Sequence, residues 1–306
     1  MKPGESVELG NLTQPGPYKP YVPPTLDEQI QTAFDVDGTP LERHQQALQN
    51  VRLVNQRLLV VFGKPTDPRI HRLMDIRYND GDFRILRDDF LFLAIPTDSA
   101  RLTNALVLAK ALGQDLNETR QAFNLVLVDS EGKTLATAGD AELCVAGELS
   151  KELLLEFLRR HEVQPLNAQQ LLNNALLQAT QENKRVLLQE TATWCRPCHL
   201  LSGLLDANRS WEKDFIWVKM DHRWTGAKEI MAKLRDGAEG GIPWFVILDA
   251  QGEKLATSND PSTGKNIGFP SVQNGRKHFA NILNATRQRM TEPEVQALVD
   301  AIESFE

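Results

Sequence analysis

The chain carries one sequence pattern twice, and this duplication constrains its fold more than any other feature. Residues 124–137, NLVLVDSEGKTLAT, match residues 244–257, WFVILDAQGEKLAT. Residues 55–73 also align without gaps on residues 183–201, with identical amino acids at the pairs Asn55/Asn183, Arg57/Arg185, Leu59/Leu187, His71/His199 and Leu73/Leu201. Self-similarity of this kind predicts a duplicated domain.

We predict three segments from this pattern. Residues 1–40 hold seven of the sixteen prolines, which favours an extended or polyproline-like segment outside any packed core. Residues 41–163 form the first predicted domain and residues 164–306 the second. Each of the two copies ends in an amphipathic helical pattern, ELSKELLLEFLRR in the first and TEPEVQALVDAIESF in the second.

The order of the predicted elements defines the fold class. In the second copy, NAQQLLNNALLQATQEN has apolar residues at helical spacing, RVLLQETA and FIWVKMD are short apolar strands, and Asp249 and Gly252 mark the turn of a hairpin. Parallel strands joined by helices, followed by an antiparallel hairpin and a last helix, predict an α/β sandwich. Each copy is therefore expected to hold a central mixed sheet with helices on both faces.

Composition excludes several classes of function. A formal net charge of -7 argues against a nucleic-acid partner and against an anionic membrane surface. No apolar run approaches the roughly 20 residues of a membrane span, so we expect no membrane insertion. The opening MKPGESVELGNL lacks the apolar region of a signal peptide. This predicts a cytoplasmic protein if the chain is complete as given, and a periplasmic or exported one if a signal was removed.

Two of the three cysteines lie in the stretch TWCRPCH, residues 193–199. C-x-x-C followed by His is typical of c-type haem attachment, whereas W-C-x-P-C between a strand and a helix is typical of a redox dithiol. The first copy keeps His71 at the position of His199 without any cysteine, which ties the histidine to the helix rather than to haem. A zinc site would need a fourth ligand that the sequence does not offer. The dithiol is the favoured interpretation, and Cys144 is expected to be an ordinary small buried residue.

The second copy resembles the thioredoxin superfamily in two separate features, the W-C-x-P-C motif and the later Ile242-Pro243. The resemblance implies a thioredoxin-like fold for 164–306, and by pattern for 41–163. It also implies a cis peptide bond before Pro243, and Ile242 backbone against which an extended protein substrate pairs. Trp194 would be an apolar wall of the site. Trp244 would be either a second wall or a strand residue packed in the core.

The chemistry of a dithiol suits this placement. A helix N-terminus stabilises a thiolate through its unpaired N–H groups and its dipole, and Pro197 fits the first turn because it needs no N–H partner. Cys195 is therefore expected to be the exposed, attacking thiol and Cys198 the resolving thiol. Arg196 adds a positive charge that should lower the pKa of the thiolate. No bound cofactor and no metal are required.

The second copy departs from the thioredoxin pattern at one position. Members of the superfamily commonly bury an acid six residues before the first cysteine, where this chain has Gln189, with Glu190 next to it. Glu190 is a candidate for proton transfer. The alternative, which the sequence favours slightly, is that it lies near an exposed strand end without a special role. His199 is expected at the surface or at the helix start, with tuning of the thiols as its alternative.

The first copy lacks the residues of disulfide exchange. Asp67 and Ile70 stand at the cysteine positions and Phe123 at that of Pro243. It thus resembles the non-catalytic thioredoxin-like domains of protein disulfide isomerases, and it is either a binding domain for clients or a structural companion. Residues 258–290 form an insertion that the first copy lacks, with an additional helix expected in GRKHFANILNATRQ. The motif GIPW followed by the NIGFP loop resembles bacterial thioredoxin-family proteins, many of them exported.

These features predict a thiol–disulfide oxidoreductase that acts on protein disulfides or dithiols together with an upstream redox partner. The sequence leaves the direction of electron flow open. The alternative is a client-binding, chaperone-like or scaffolding protein in which the first domain carries the main function.

Overall fold

The computed structural model describes residues 23–35 and 37–305 of the chain. Most of the predicted proline-rich segment, residues 1–22, therefore lies outside the described residues. The described elements form two α/β units, each built on its own four-stranded sheet with the same strand topology. The fold class predicted from the sequence is confirmed, whereas the domain boundaries after residues 40 and 163 stay a prediction.

The first unit has the strand order β2-β1-β3-β4. Strands β1 and β2 are parallel, β3 is antiparallel to β1, and β4 is antiparallel to β3. Its elements are α1 (Leu26–Phe34), α2 (Pro40–Val54), β1 (Arg57–Gly63), α3 (Pro68–Asn79), α4 (Gly81–Leu86), β2 (Phe90–Pro96), α5 (Leu102–Ala111), α6 (Glu118–Ala122), β3 (Phe123–Val128), β4 (Thr134–Ala138), α7 (Asp140–Leu143), the short pair β5 (Cys144–Val145) and β6 (Glu148–Leu149), and α8 (Lys151–Arg159).

The second unit repeats this topology with the strand order β10-β9-β7-β8. Strands β7 and β8 are parallel, and β9 is antiparallel to both β7 and β10. Its elements are α9 (Ala168–Glu182), β7 (Arg185–Thr191), α10 (Arg196–Ala207), a 3₁₀ helix (Arg209–Lys213), β8 (Phe215–Asp221), α11 (Ala227–Arg235), β9 (Trp244–Leu248), β10 (Lys254–Thr257), α12 (Gln273–Thr286), α13 (Glu292–Asp300) and a second 3₁₀ helix (Ala301–Phe305). Helix α12 is the additional helix expected in the insertion.

Equivalent positions of the two copies have equivalent backbone roles. Asn55 and Asn183 end helices α2 and α9 in the left-handed conformation, with φ of 50° and 49°. Asparagine is favoured at this helix-ending position because its side chain tolerates positive φ. Asp67 and Cys195 are the N-cap residues of α3 and α10. The alignment read from the sequence therefore matches the structure.

Part of the segment 1–40 corrects the sequence prediction, because residues 26–34 form helix α1. Thr25 and Glu28 form a capping box at its start, in which each side chain binds the other residue's backbone N–H. Ile30 and Phe34 lie one turn apart and are buried in the core of the first unit, where α1 contacts α3 and β2. The high proline content nearby concealed this short amphipathic pattern.

The central strands are buried on both faces of each sheet, which explains the continuous apolar runs at residues 58–62 of β1 and 186–188 of β7. In β1, Leu59 and Val61 face one core cluster, whereas Leu58 and Val60 face the other. In β7, Leu187 joins the cluster that contains α12 and α13, and its neighbours join the cluster that contains α9 and α11. Strand β7 is thereby fixed in the middle of its sheet, and the residues that follow it are placed accurately.

The two units meet where cations of the second unit bind the C-terminal end of α2. The guanidinium of Arg223 donates to the carbonyl oxygen of Val54 at 2.6 Å and to the Oδ1 atom of Asp89 at 2.9 Å. The ammonium of Lys219 donates to the carbonyl oxygen of Leu53. Carbonyls at a helix C-terminus carry partial negative charge and are favourable sites for cations. These contacts hold the first unit beside helix α10.

Candidate functional site

The two cysteines lie at the junction between β7 and α10. Cys195 is the N-cap residue of α10, and Pro197 lies in the first turn. The sulfurs of Cys195 and Cys198 form a disulfide. The backbone N–H of Cys198 points at the Sγ atom of Cys195 over 3.2 Å. Such an N–H group and the helix dipole stabilise negative charge on that sulfur once the bond is reduced.

The structure corrects the expected exposure of Cys195. In the disulfide form Cys195 is only 3% exposed, and Cys198 is fully buried. The reason is the neighbouring loop. The Sγ atom of Cys195 lies 3.5 Å from the carbonyl oxygen of Ile242, and Ala192, Ile242 and the two cysteines form one small apolar cluster. In the disulfide form the sulfur of Cys195 is therefore covered by the Ile242 loop rather than open to solvent.

The residues around the dithiol divide into exposed and buried ones. Trp194 is 62% exposed and meets the ring of His222 edge-on at 6.2 Å between centroids, and Arg196 and Pro197 are exposed as well. Trp244, by contrast, is fully buried in the core of the second unit. Of the two interpretations of Trp244 the packing one holds, whereas Trp194 offers an apolar surface next to Cys195.

The Ile242–Pro243 peptide bond is cis. Pro243 is buried and directly precedes β9, the strand that pairs with β7. The loop before β9 is thereby brought to the end of β7, beside the N-terminus of α10. Two motifs that lie more than forty residues apart in the sequence meet at the same disulfide.

Glu190 lies in the interior, which corrects the slightly favoured view that it sits at an exposed strand end. Its Oε1 atom lies 2.9 Å from the Nε2 atom of His222, and its Oε2 atom accepts from the guanidinium of Arg235 at 2.6 Å. Burial by itself would raise the pKa of the carboxyl, but hydrogen bonds from His222 and Arg235 and the charge of Arg235 lower that pKa below its usual value. A buried charge needs such partners.

Gln189 occupies the position where an acid is expected in the superfamily, and its amide is fully used. Its Nε2 atom donates to the carbonyl oxygen of Cys198 at 3.3 Å, and its Oε1 atom accepts from the indole N–H of Trp217 at 3.0 Å. Successive strand residues point to opposite faces of a sheet. The amide of Gln189 therefore lies beside the resolving cysteine, whereas the carboxylate of Glu190 lies with His222 and Arg235.

His199 lies half-buried in the first turn of α10, between the exposed and the core residues. Burial lowers the pKa of its imidazole, and hydrogen bonding with the backbone of Thr193 and Ala192 opposes this shift only in part. The ring is therefore neutral near pH 7. Of the two expected positions, the surface and the helix start, the structure shows the helix start, with the ring partly covered.

The equivalent place in the first unit holds an ion-pair cluster instead of thiols. Asp67 caps α3 and pairs with Arg69 at 2.7 Å, and Arg69 also binds Asp140. Cys144 is half-buried, with its Sγ atom 3.6 Å from the Oδ1 atom of Asp140. Burial and this carboxylate raise the pKa of the Cys144 thiol to about 11, which keeps it protonated and unreactive.

A groove between the two units runs past the residues on either side of Cys195, and sequence reasoning missed its first-unit wall. The cavity measures about 710 Å³ and is lined by Trp194 and Arg196 from the second unit and by Arg77, Tyr78 and Phe92 from the first, among others. The guanidinium carbon of Arg77 lies 4.2 Å from the ring centroid of Phe92 and 4.8 Å from that of Tyr78. No motif in the sequence marks this groove, because it is lined by residues of both units.

Comparisons with known proteins agree with this arrangement. A family model described as thioredoxin-like matches residues 167–250, which include both cysteines and Pro243. This part of the chain belongs to the thioredoxin superfamily. A thioredoxin-like fold with a closely spaced Cys195–Cys198 pair indicates thiol–disulfide redox chemistry. No curated protein matches the chain.

Several solved structures have weak similarity to the chain. A disulphide isomerase from Xylella fastidiosa Temecula1 is 20% identical, with a TM-score of 0.29 over 46% of this chain and 95% of that one. The zinc-bound form of human ERp44 is 11% identical, with a TM-score of 0.26 over 76% and 56%. The NTD_N/C domain of alkylhydroperoxide reductase AhpF from Enterococcus faecalis is 16% identical, with a TM-score of 0.23 over 72% and 93%. At such scores these similarities carry no argument about function.

Two further observations concern residues 23–35 and 37–305. None of the helices there is both long and apolar enough to cross a membrane. In the same residues no three His, Cys, Asp or Glu side chains are grouped so that they could hold a metal ion.

Proposed function

We propose that the chain is a thiol–disulfide oxidoreductase in which Cys195 attacks and Cys198 resolves disulfides of protein substrates. The observation that carries the proposal is the Cys195–Cys198 pair at the N-terminus of α10, with an N–H group directed at the sulfur of Cys195. The second sulfur is fully buried, which suits a thiol that reacts only within the protein.

The reduced protein reduces a substrate disulfide in two thiol–disulfide exchange steps. The thiolate of Cys195 attacks one sulfur of a substrate disulfide, so that the substrate S–S bond breaks, a mixed disulfide forms and one substrate thiolate leaves. The thiolate of Cys198 then attacks the sulfur of Cys195, which releases the second substrate thiolate and forms the Cys195–Cys198 disulfide. The substrate gains two electrons, and a dithiol donor upstream must return two electrons to the protein. In the oxidising direction the same steps run in reverse.

The neighbouring residues have distinct roles in this proposal. Pro197 fixes the first turn of α10, and Arg196 places a permanent positive charge beside the attacking sulfur. Trp194 offers its exposed ring to the apolar part of a substrate. Ile242 offers backbone atoms beside Cys195, and Pro243 fixes that loop. Glu190 keeps Arg235 and His222 in place, which in turn contact Gly241 and Trp194 beside the dithiol, and it stays the candidate for proton transfer.

The proposal is tested by the reduction of insulin disulfides in the presence of dithiothreitol. We expect the wild-type chain to accelerate the reaction, and the variants Cys195→Ser and Cys198→Ser to lose that acceleration. Cys144→Ser is the matched control, since the Cys144 thiol stays protonated, and it should retain the wild-type rate. Equal rates with and without the wild-type protein would contradict the proposal.

The groove between the units favours a second function, the binding of client proteins by the first unit. Its wall of Arg77, Tyr78 and Phe92 combines positive charge with aromatic surface and lies beside the exposed Trp194. A variant with both Cys195 and Cys198 replaced by serine separates the two functions. If it still suppresses the aggregation of a denatured protein as the wild type does, client binding is the main function and disulfide exchange is secondary.

A further inference from the structure

A side chain of the insertion 258–290 binds the loop that faces the dithiol. The Nδ2 atom of Asn266 donates to the carbonyl oxygen of Gly241 at 2.7 Å and to that of Pro243 at 2.9 Å. These two carbonyls flank Ile242, whose own carbonyl oxygen lies 3.5 Å from the Sγ atom of Cys195. One amide group therefore fixes the backbone on both sides of the residue that faces the reactive sulfur.

The fold of the insertion places the amide of Asn266 against the Ile242 loop. After β10 the chain forms a tight loop closed by the backbone hydrogen bonds Asp260 N–H to Lys265 O and Gly264 N–H to Asp260 O, at 2.8 and 2.7 Å. An antiparallel bridge joins Asn259 and Asn266. The Oδ1 atom of Asn266 accepts from the N–H of Gly268 at 3.1 Å, so that its Nδ2 atom is directed at the two carbonyls.

The approach of Asn266 also requires a glycine in the loop. Gly240 has a φ of 133°, and a Cβ atom placed there would lie 3.1 Å from the Cβ atom of Asn266. A side chain would be strained by that φ and crowded by Asn266. The sequence Gly240-Gly241 before Ile242 thus allows the side chain of Asn266 to pack closely against this loop.

Arg235 holds the same loop from helix α11. Its Nη2 atom donates to the carbonyl oxygen of Gly241 at 3.2 Å, and its guanidinium is anchored by the carboxylate of Glu190 at 2.6 Å. The carbonyl of Gly241 therefore accepts from two side chains that come from different elements. By contrast, the N–H of Ile242 donates to no acceptor within residues 23–35 and 37–305.

We propose that Asn266 is a positioning residue for the binding of protein disulfides, an inference that rests on the proposed function. It binds Gly241 and Pro243, and thereby holds the intervening Ile242 with its N–H open to the backbone of an extended substrate segment beside Cys195. Asn266 itself touches neither the substrate nor the sulfurs. The insertion 258–290 is thus part of the recognition of extended polypeptide, whereas small disulfides need no such backbone.

The experiment compares Asn266→Ala and Asn266→Asp with the control Asn284→Ala. Asn284 lies in the same insertion and is exposed, and its amide oxygen accepts a hydrogen bond from the guanidinium of Arg287, far from the Ile242 loop in the chain. Two rates are measured, the reduction of insulin at varied insulin concentration and the reaction with the small aromatic disulfide DTNB. The reduction potential of each variant is measured in glutathione buffers, and urea unfolding followed by tryptophan fluorescence checks that the variants are folded.

We expect Asn266→Ala to raise the KM for insulin about five- to tenfold, because the loss of two neutral hydrogen bonds loosens the binding backbone. Asn266→Asp should raise it further, since a carboxylate has no donor and faces two carbonyl oxygens. The DTNB rate, the reduction potential and the kcat for insulin should stay at the wild-type values, and Asn284→Ala should behave as the wild type.

Two results would overturn the inference. An unchanged KM for insulin in folded Asn266→Asp would show that the amide does not position the substrate-binding backbone. An equal loss in the insulin and DTNB reactions would show that it supports the dithiol in general. Failure of the proposed function looks different, because the wild-type protein itself would then not accelerate insulin reduction.

Discussion

The buried carboxylate of Glu190 offers a sharp test of the structure, through the substitution Glu190→Gln. Glutamine keeps the shape of the side chain but removes the negative charge that balances Arg235. Only 10% of the Glu190 side chain and 12% of that of Arg235 are exposed, so the guanidinium would keep its charge without a buried counter-ion. Loss of one partner of a buried ion pair destabilises proteins by about 3–5 kcal/mol. Because glutamine can still accept one hydrogen bond, we expect the lower end, about 3 kcal/mol.

The effect of Glu190→Gln on the unfolding free energy should also depend on pH in a definite direction. Burial by itself would raise the pKa of Glu190, but hydrogen bonds from His222 and Arg235 and their charges bring it below the ordinary value in the folded state. An unfolded glutamate titrates at about 4.3. Above the pKa that Glu190 has in the unfolded state, the carboxylate contributes its full stabilisation. This stabilisation is lost as the pH falls through the lower pKa that Glu190 has in the folded state. The difference in unfolding free energy between wild type and Glu190→Gln should be constant from about pH 8 to about pH 5 and should shrink below about pH 4.

Urea unfolding followed by tryptophan fluorescence is the assay. All five tryptophans lie between residues 194 and 244, so their emission reports the second unit. The control is Glu212→Gln, which removes an exposed carboxylate paired with Arg209 and should leave stability essentially unchanged. The reasoning would be refuted if Glu190→Gln matched this control at pH 7, or if its deficit stayed the same down to pH 2.

Three further predictions concern the core of the first unit and the contacts between the two units. Phe34→Ala should lower the unfolding free energy of the first unit by about 3 kcal/mol, measured by circular dichroism, because Phe34 is fully buried; a change near zero would contradict the docking of α1. Arg223→Met should lower stability by about 3 kcal/mol, since it leaves the carboxylates of Asp221 and Asp89 without their cation, whereas wild-type stability would contradict that contact. Burial lowers the pKa of Lys219 to about 8, below the unfolded value of about 10.4. The unfolded state therefore binds more protons in this interval, and wild-type stability should rise between pH 8 and pH 10. Equal slopes in wild type and Lys219→Met would contradict this.

The parts of the fold that the sequence predicted correctly are those with a strong local pattern. Residues 58–62 of β1 and 186–188 of β7 are apolar without interruption because both faces of the sheet are covered. Pro197 in the first turn marks the start of the helix after Cys195. Because the pattern occurs twice, an element predicted in one copy could be checked against its counterpart in the other. Asn55 and Asn183, for example, end equivalent helices. Helix α1 was missed because its signal, Ile30 and Phe34 one turn apart behind a capping box, is short and lies among prolines.

The candidate site was predictable only in its motif residues. Cys195, Cys198 and Pro243 belong to patterns that place them at a helix start and before a strand, whatever surrounds them. The burial of Cys195 was not predictable, because it depends on the distance between the sulfur and a loop more than forty residues away. The partners of Glu190 lie 32 and 45 residues further along the chain. The sequence could place the carboxylate on a strand, but it could not show that Arg235 and His222 lie beside Glu190 and compensate for its burial.

The measurement that tests the central proposal most directly is the capture of a mixed disulfide. Reduced Cys198→Ser is mixed with insulin, quenched with acid and analysed by mass spectrometry with peptide mapping. The proposal predicts a covalent adduct through Cys195 in this variant, because the resolving thiol is gone, and no adduct in Cys195→Ser. An adduct through Cys144, or no adduct in either variant, would contradict the assignment of Cys195 as the attacking thiol.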